Sequence, residues 1–392
     1  MKKIIITIVS AISVFTVYSQ ASLDSVLAEI ERNNTTLAAY RSNADADKMS
    51  NRTGLMPDNP EVAFNYLWGN PDQIGNRTDL AITQSFDFPT AYVYKSQLAD
   101  MKNEQVEMEY KKQRYDVLLQ AKLICSELTY LNALHAEYQK RFSNDLKIAN
   151  SYNKRMKVGD ATVLEHNKAQ SSLLNTEKKL EQISIARNAA MQQLAALNAG
   201  QIISFNDSVF STNIIEADFE KWYAQAANYN PMLNWLKQEI AISSKEKQLQ
   251  VAQNLPKLNA GYMSEKVVGE QFQGVTLGVS IPLWGNKNTV KYAKLKTEAI
   301  NSMEADAKVQ FYNEMKTLHS KAIALQTSLT DFKQRITGNA ILELYEKAML
   351  KGEISISEYY FELMVYYDNK EELLNMEKEL QFTLANLNQY NL

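Results

Sequence analysis

The chain has 392 residues, with 42 Lys and Arg against 45 Asp and Glu, one Cys and three His. This near-balance of charge leaves no basic surface for nucleic acid, and a single Cys excludes a disulfide framework or a Cys-rich metal site. Only one apolar stretch is long enough to consider as a membrane helix, which excludes a polytopic helical membrane protein. With 12 Gly and 7 Pro the chain has few places to turn, so long elements are expected.

Residues 1–20 predict a secretory signal peptide. Lys2 and Lys3 precede an apolar run from Ile4 to Val17, and Ser19 supplies a small residue near the cleavage point. The run is too short to span a membrane, and an uncleaved anchor is the alternative interpretation. The mature chain is therefore expected to be exported.

Two long stretches, 90–158 and 286–351, contain no Pro and only a single Gly, Gly338. A shorter clean stretch follows each of them, and the pattern recurs at an offset of about 195 residues, which indicates an internal duplication. Asn34 and Asn230 follow the same offset. The first repeat is predicted at 21–200, with a helix, a β-hairpin at 61–88, a long helix at 90–158 and a helix at 160–199. A linker at 201–216 follows. The second repeat is predicted at 217–392, with a helix, a β-hairpin at 257–284, a long helix at 286–351 and a helix at 353–390.

The long stretches carry apolar residues with a seven-residue period, which predicts a coiled-coil seam. A single helix of this length cannot bury itself, so it needs antiparallel neighbours from its own chain or from other chains. The seam of the first long stretch comprises Val117, Ala121, Ile124, Leu128, Leu131, His135 and Tyr138.

Two short segments, 62–88 and 258–283, alternate apolar and polar residues and predict two β-hairpins. A loop containing Gly269 and Gly274 is expected between the strands of the second hairpin. Strands of about ten residues suit an outer-membrane barrel. Four strands cannot close a barrel, and open edges cannot lie in lipid, so several chains must each contribute two hairpins.

A soluble four-stranded sheet is the alternative to a shared barrel. The aromatic residues Trp68 and Trp284 fall at the ends of predicted strands. Aromatic side chains at that position anchor a barrel at the membrane–water interface. Both residues are therefore predicted to be membrane-interface aromatics.

The duplicated halves and their Gly turns resemble the TolC-type outer-membrane efflux factors over about residues 22–390. The most specific piece is the run Tyr-Asn-Lys-Arg-Met-Lys-Val-Gly-Asp-Ala-Thr-Val-Leu-Glu at 152–165, with a partner turn at 351–355. The resemblance implies a mainly α chain with a small β portion, made of long antiparallel coiled-coil helices and four strands. Three such chains would form a twelve-stranded outer-membrane β-barrel, continued by a twelve-helix tunnel in the periplasm.

The resemblance also implies a location and partners. The homotrimer would lie in outer-membrane lipid of a Gram-negative envelope and meet a periplasmic adaptor protein. The adaptor would connect it to an inner-membrane pump of the proton-driven resistance-nodulation-division type, and no cofactor or metal site is implied. The two Gly turns would form the periplasmic tip that contacts the adaptor, through Val158, Gly159, Asp160, Thr162, Lys351, Gly352, Glu353 and Ser355.

Three acidic residues near the turns have two interpretations. Glu165 and Glu358 each follow a Thr or Ser at the spacing of a capping box, which predicts a role in helix capping. The resemblance instead implies that Glu358 lines the tunnel entrance, where three chains would form a ring of carboxylates that favours cations. Glu362 lies one turn further along, but one residue later than in the best-known members, so its orientation stays open.

The implied function is that of a passive exit channel in a tripartite efflux system. The segment Gln84–Pro89 resembles the branch that exports heavy-metal cations, while multidrug export and type I protein secretion stay open. An exported coiled-coil scaffold without transport is the alternative from a different class. No phosphate loop, paired Cys or nucleophile elbow points to catalysis, and His319 is expected on a helix surface.

Overall fold

The computed structural model describes residues 22–71, 74–211, 215–284, 286–336 and 340–391. The predicted signal peptide lies outside these residues, as do parts of the predicted linker and Gly285. Helices dominate the described chain, and one four-stranded sheet accompanies them, so the predicted class is confirmed. None of the described helices combines the length and the apolar character that crossing a membrane requires.

The order of elements occurs twice along the chain, except that the second half has two helices where the first half has one long helix. A short 3₁₀ helix, Gln389–Asn391, ends the described part. The elements are α1 (Leu23–Asn33), α2 (Thr35–Asn51), β1 (Glu61–Leu67), β2 (Arg77–Phe86), α3 (Pro89–Lys157), α4 (Val163–Leu197), α5 (Phe219–Tyr229), α6 (Pro231–Gln253), β3 (Lys257–Val267), β4 (Glu270–Ser280), α7 (Thr289–Arg335), α8 (Ala340–Leu350) and α9 (Ile356–Leu387).

The chain divides into two compact units, and each unit takes segments from both predicted repeats. Unit one consists of the described parts of 1–32, 124–211 and 337–378. Unit two consists of the described parts of 33–123, 212–336 and 379–392, and it contains the sheet. In unit two α6 lies against α7. The repeats of the sequence are thus distinct from the compact units of the structure.

The first long helix is continuous, whereas the second is interrupted. α3 runs for 69 residues, and Ala121, Leu128, Leu131 and Tyr138 of its predicted seam are buried. The prediction of one helix over 286–351 is wrong. α7 ends at Arg335 because Ile336 has an extended backbone, and α8 begins at Ala340. The sequence Ile-Thr-Gly-Asn that follows Arg335 contains β-branched residues, Gly and Asn, which all have low helix propensity.

The single helix predicted before each hairpin is also wrong, because two helices occur there. Asn34 separates α1 from α2, and its Oδ1 accepts a hydrogen bond from the backbone N–H of Leu37 at 2.8 Å. Asn230 separates α5 from α6, and its Oδ1 accepts from the N–H of Leu233 at 3.0 Å. Both side chains are buried N-caps, so each satisfies a helix end that no water reaches.

The strands form one antiparallel sheet in the order β1-β2-β3-β4. The turn between β3 and β4 is shorter than predicted, because it comprises only Val268 and Gly269, both with positive φ. Gly274 lies inside β4, opposite Met263, and not in a loop. Two residues with positive φ make the tight hairpin turn that suits the right-handed twist of the strands.

Candidate functional site

One face of the sheet carries apolar side chains on all four strands, with a few polar residues among them. Directly paired residues of antiparallel strands share a face, so the register defines rows of side chains. One row contains Val62, Ile82, Tyr262 and Val275, and Val275 is 85% exposed. The rows on either side of it are Phe64-Leu80-Ser264-Gln273 and Gln84-Ala260-Leu277, and the next row is Phe86-Leu258-Val279. An apolar face of this extent needs an apolar surrounding.

The opposite face of the sheet carries charge. Asp79 pairs with Glu265 in the register, and Arg77 contacts both carboxylates. The Arg77 Nε donates to Asp79 Oδ1 at 2.7 Å, and its Nη2 lies 3.2 Å from Glu265 Oε2. The two faces of the sheet therefore differ: one is mainly apolar, and on the other the charged side chains form ion pairs with one another.

The segment Gln84–Pro89 comprises the end of β2 and the start of α3 and is held by ion pairs. The Asp87 carboxylate lies 2.9 Å from Lys95 Nζ of α3 and 2.9 Å from Lys257 Nζ at the start of β3. Burial alone would raise the pKa of Asp87, but hydrogen bonds from the two ammonium groups lower it. The charge of Asp87 thus fastens two strands to a helix.

The two predicted interface aromatics lie at opposite ends of the sheet. Trp68 directly follows β1 and is 80% exposed, with its ring edge-on to Tyr66. Trp284 lies four residues after β4 and is 77% exposed. β1 ends at the turn to β2, so Trp68 lies at the hairpin-turn end of the sheet. β4 ends where the chain continues to α7, so Trp284 lies at the helix end.

The turn between α3 and α4, which we call the first turn (158–162), is a Schellman motif. Gly159 has φ of +80°, its N–H donates to Met156 O, and the Asp160 N–H donates to Arg155 O. Arg155 Nε also donates to Asp160 Oδ2 at 2.8 Å. Gly159 meets the prediction of a residue with positive φ at the end of a long helix.

The turn between α8 and α9, which we call the second turn (351–355), has the same backbone geometry. Gly352 has φ of +77°, its N–H donates to Met349 O, and the Glu353 N–H donates to Ala348 O. Its charged pair is looser, because Lys351 Nζ lies 3.9 Å from Glu353 Oε1. A Cβ atom at Gly159 or Gly352 would meet no atom within 4 Å. Backbone conformation, and not lack of space, therefore favours Gly at both positions.

Glu165 and Glu358 cap α4 and α9 as the capping-box spacing predicts. Glu165 Oε2 accepts from the Thr162 N–H at 2.7 Å, and Glu358 Oε2 accepts from the Ser355 N–H at 2.7 Å. These backbone donors lower the pKa of both carboxyls. Both groups are therefore ionised at neutral pH, and each side chain is tied to its own turn.

Glu362 has a partner that sequence reasoning missed. The Tyr345 Oη of α8 donates to Glu362 Oε2 at 2.9 Å, which orients this carboxylate toward α8. A tyrosine 17 residues upstream carries no local signal for such a contact. The structure thus gives Glu362 a definite orientation, whereas the sequence left it open.

Both turns rest on one buried cluster within unit one. Its members come from α3, α4, α8 and α9, and Ala161 and Ile354 of the turns pack against it. Beyond the cluster, Val158 of the first turn and Leu164 at the start of α4 are 80% exposed, and Leu350 beside the second turn is 66% exposed. The buried cluster comprises Ile148, Ala149, Tyr152, Ala169, Met349, Ile356, Tyr359 and Leu363.

His319 was expected on a helix surface, and this prediction is wrong. The side chain is 4% exposed and lies against the rings of Phe219 and Trp222, with Nε2 at 2.7 Å from Glu216 O. The α5 segment that covers it is more than 90 residues away in sequence, so helical periodicity could not show it. Among the described residues no group of three or more His, Cys, Asp or Glu has an arrangement that would hold a metal ion.

Solved structures of outer-membrane channels share this architecture. The Campylobacter jejuni CmeC outer membrane channel is 13% identical, with a TM-score of 0.70, over 94% of this chain and 85% of that one. The outer-membrane channel OprN is 12% identical, with a TM-score of 0.76, over 94% and 89%. CusC is 12% identical, with a TM-score of 0.75, over 95% and 92%.

This chain has the TolC-type outer-membrane channel fold. No protein-family model and no curated protein matches the sequence. At 12–14% identity, this structural similarity shows the fold alone. The fold predicted from the resemblance is confirmed, and the roles of the individual turn, entrance and interface residues stay predictions.

Proposed function

We propose that this protein is the outer-membrane exit channel of a tripartite efflux system. Three copies contribute four strands each to one barrel in the outer membrane and continue it as a helical tunnel in the Gram-negative periplasm. An inner-membrane pump of the resistance-nodulation-division type delivers substrate through an adaptor that contacts the first and second turns. The channel conducts passively, without catalysis or a cofactor.

The sheet carries this proposal. Its apolar face is exposed, and β1 and β4 are edge strands within the described chain. In lipid, every backbone N–H and C=O must be paired, so open edges require strands from other copies. An exported coiled-coil scaffold would leave this apolar face in water, which favours aggregation. The fold shared with outer-membrane channels supports the same assignment.

Disulfide cross-linking of the edge strands tests the proposal. Phe64→Cys on β1 is combined in turn with Gln273→Cys, Val275→Cys or Leu277→Cys on β4. The native Cys125 is buried, and burial raises its thiol pKa to about 12, so it does not contribute to cross-linking. We expect one of the pairs to yield covalent trimers on oxidation.

A matched pair inside the sheet serves as the control. Leu80 and Ser264 are direct partners, so Leu80→Cys with Ser264→Cys links β2 to β3 within one chain and leaves the monomer mass unchanged. If none of the edge pairs links different chains while this control pair closes, the shared barrel is contradicted and the scaffold is favoured.

A cation preference is the second proposed property. Glu165 and Glu358 are ionised, and a trimer brings three copies of each together. Heavy-metal cations are the proposed substrate class on the resemblance of Gln84–Pro89, with multidrug export and type I secretion as alternatives. Asp87, the charged residue of that segment, is neutralised by two lysines and serves the fold, so metal export would not use it as a ligand.

A further inference from the structure

Residues of α3, α4 and α9 line a cavity in unit one. Its volume is about 560 Å³, which is within the range of small-molecule sites. Every lining residue belongs to unit one, so the walls come from a single compact body. We call this space the groove cavity. Its charged lining residues are Arg141, Asp145, Lys168, Lys179 and Asp368.

Arg141 of α3 is a buried cation without a carboxylate partner among the described residues. It is 5% exposed, and its guanidinium carbon lies 4.2 Å from the centroid of the Tyr138 ring and 3.8 Å from that of the Tyr367 ring. Its Nη2 donates to Tyr367 O at 3.1 Å, whereas its Nε has no acceptor. A guanidinium has five N–H donors, and a buried charge is stabilised by an opposite charge. Arg141 is therefore suited to bind the carboxylate of a ligand.

Two carboxylates of the lining have no basic partner in the described part of the chain. Asp145, one helical turn after Arg141, is 4% exposed and accepts from Thr176 Oγ1 at 2.6 Å and from Ser172 Oγ at 3.4 Å. Burial raises the pKa of Asp145. Asp368 of α9 is exposed. An ammonium group between these carboxylates would provide the positive charge that Asp145 lacks.

The charges of the lining are close to balance. Lys179 Nζ lies 3.4 Å from Glu371 Oε1, so this lysine is already paired. Lys168 Nζ donates to Ser357 Oγ at 3.0 Å. Without the paired lysine, two basic and two acidic groups remain in the lining. Balanced charges of both signs favour a zwitterion over a simple anion or cation.

The α9 side of the cavity adds apolar surface. Met364 is 53% exposed, and the rings of Tyr360 and Tyr367 are partly buried. A flexible Met side chain adapts to ligands of different shape. The lining residues from α4 are all polar or charged, as Ser171 and Asn175 illustrate. An apolar group of a ligand would therefore lie on the α9 side.

We propose that the groove cavity binds a free amino acid with an apolar side chain. The ligand carboxylate accepts hydrogen bonds from Arg141, and the ligand ammonium group donates to Asp145 and Asp368. The spacing of four residues places the Arg141 and Asp145 side chains next to each other on α3. This proximity matches the adjacent carboxylate and ammonium groups of an α-amino acid. The apolar side chain lies against Met364.

Isothermal titration calorimetry of the full chain, purified in a neutral detergent, tests the site. The probes are L-leucine, L-methionine and L-phenylalanine, each with its amide, which lacks the carboxylate, and its deaminated acid, which lacks the ammonium group. We expect at least one amino acid to bind. Its two analogues should bind at least about tenfold more weakly, because each loses hydrogen bonds between charged groups. Absence of binding by all three amino acids, or equal binding of the analogues, overturns the site.

Two matched variants separate recognition from general loss of charge. Asp368→Asn changes an exposed residue of the lining and should weaken amino-acid binding about tenfold without weakening the deaminated acid. Glu177→Gln removes an exposed carboxylate of α4 outside the lining and should leave both affinities unchanged. Equal losses in the two variants, or equal losses for the amino acid and the deaminated acid in Asp368→Asn, contradict the proposal.

This site does not depend on the proposed function, because the groove cavity lies within unit one and the sheet lies in unit two. Protein that forms conducting channels but binds none of the three amino acids contradicts the amino-acid site alone. Protein that binds an amino acid but forms no channel contradicts the proposed function alone.

Discussion

The Asp87 carboxylate lies 2.9 Å from the Lys257 ammonium, which fastens the end of β2 to the start of β3. The two residues belong to different predicted repeats, so the ion pair joins the hairpins into one sheet. The Asp87 side chain is only 13% exposed, and it also binds Lys95 of α3. Because this carboxylate is shielded from water and shared by two lysines, it stabilises the end of the sheet where β2 finishes and β3 begins.

Replacing Asp87 tests this structural role. Asp87→Asn leaves both ammonium groups without their partner and should destabilise the protein by about 2 kcal/mol, the usual loss for a hydrogen bond to a charged group. The thermal unfolding midpoint, followed by circular dichroism in detergent, should fall. Asp58→Asn removes an exposed charge nearby and should change little. A shift in the exported substrate with no loss of stability would contradict the structural role.

The two Gly turns should respond to backbone strain and not to side-chain size. Gly159→Val places a β-branched residue at positive φ and costs about 1–2 kcal/mol or more. Under the proposed function, export should be lost while trimers remain in the membrane. Gly159→Asn should retain export, since Asn tolerates this conformation. Normal export by Gly159→Val and by the equivalent Gly352→Val would refute the role of these turns.

The capping carboxylates should make the turns sensitive to acid. The pKa of Glu165 and Glu358 is lowered in the folded chain from the ordinary 4.5, so their stabilisation is complete above that value. It is lost as the pH falls below 4.5 through the folded pKa. Amide hydrogen exchange in residues 158–166 and 351–359 should be slower at pH 6 than at pH 3.5, after correction for intrinsic rates. In Glu165→Gln the first turn should lose this pH dependence, and its persistence there would contradict the assignment.

Charge at the tunnel entrance should control ion selectivity. Glu358→Gln removes one carboxylate from each chain, and its amide oxygen can still accept from the Ser355 N–H. The cation preference in planar bilayers should therefore fall without loss of the turn. Glu346→Gln, a change of equal charge on α8, is the control. Unchanged selectivity in Glu358→Gln would contradict the carboxylate ring.

Local signals explain which features the sequence could predict. The Gly turns and the two capping boxes depend on residues within one turn of each other, and both were predicted at the correct positions. The alternation of the strands likewise showed the apolar face. In contrast, Asn34 and Asn230 were noticed only as landmarks of the duplication. Pro231 at the first position of α6 is a local signal for a helix start at Asn230, whereas no such residue follows Asn34.

The remaining features depend on contacts between distant segments. Tyr345 orients Glu362, and the rings of α5 bury His319, but neither partner lies at helical spacing. The interruption of the second long helix at Ile336 had a weak signal in Gly338, which was outweighed by the clean sequence around it. Sequence periodicity therefore predicts the helices and strands, whereas the structure is needed to identify the partners of the charged and buried polar groups.

Single-channel conductance, measured together with the mass of the same detergent-purified protein, tests the central proposal most directly. A trimer with a discrete conductance that prefers cations is the expected result. A soluble monomer or dimer without conductance would contradict the channel and favour the exported coiled-coil scaffold.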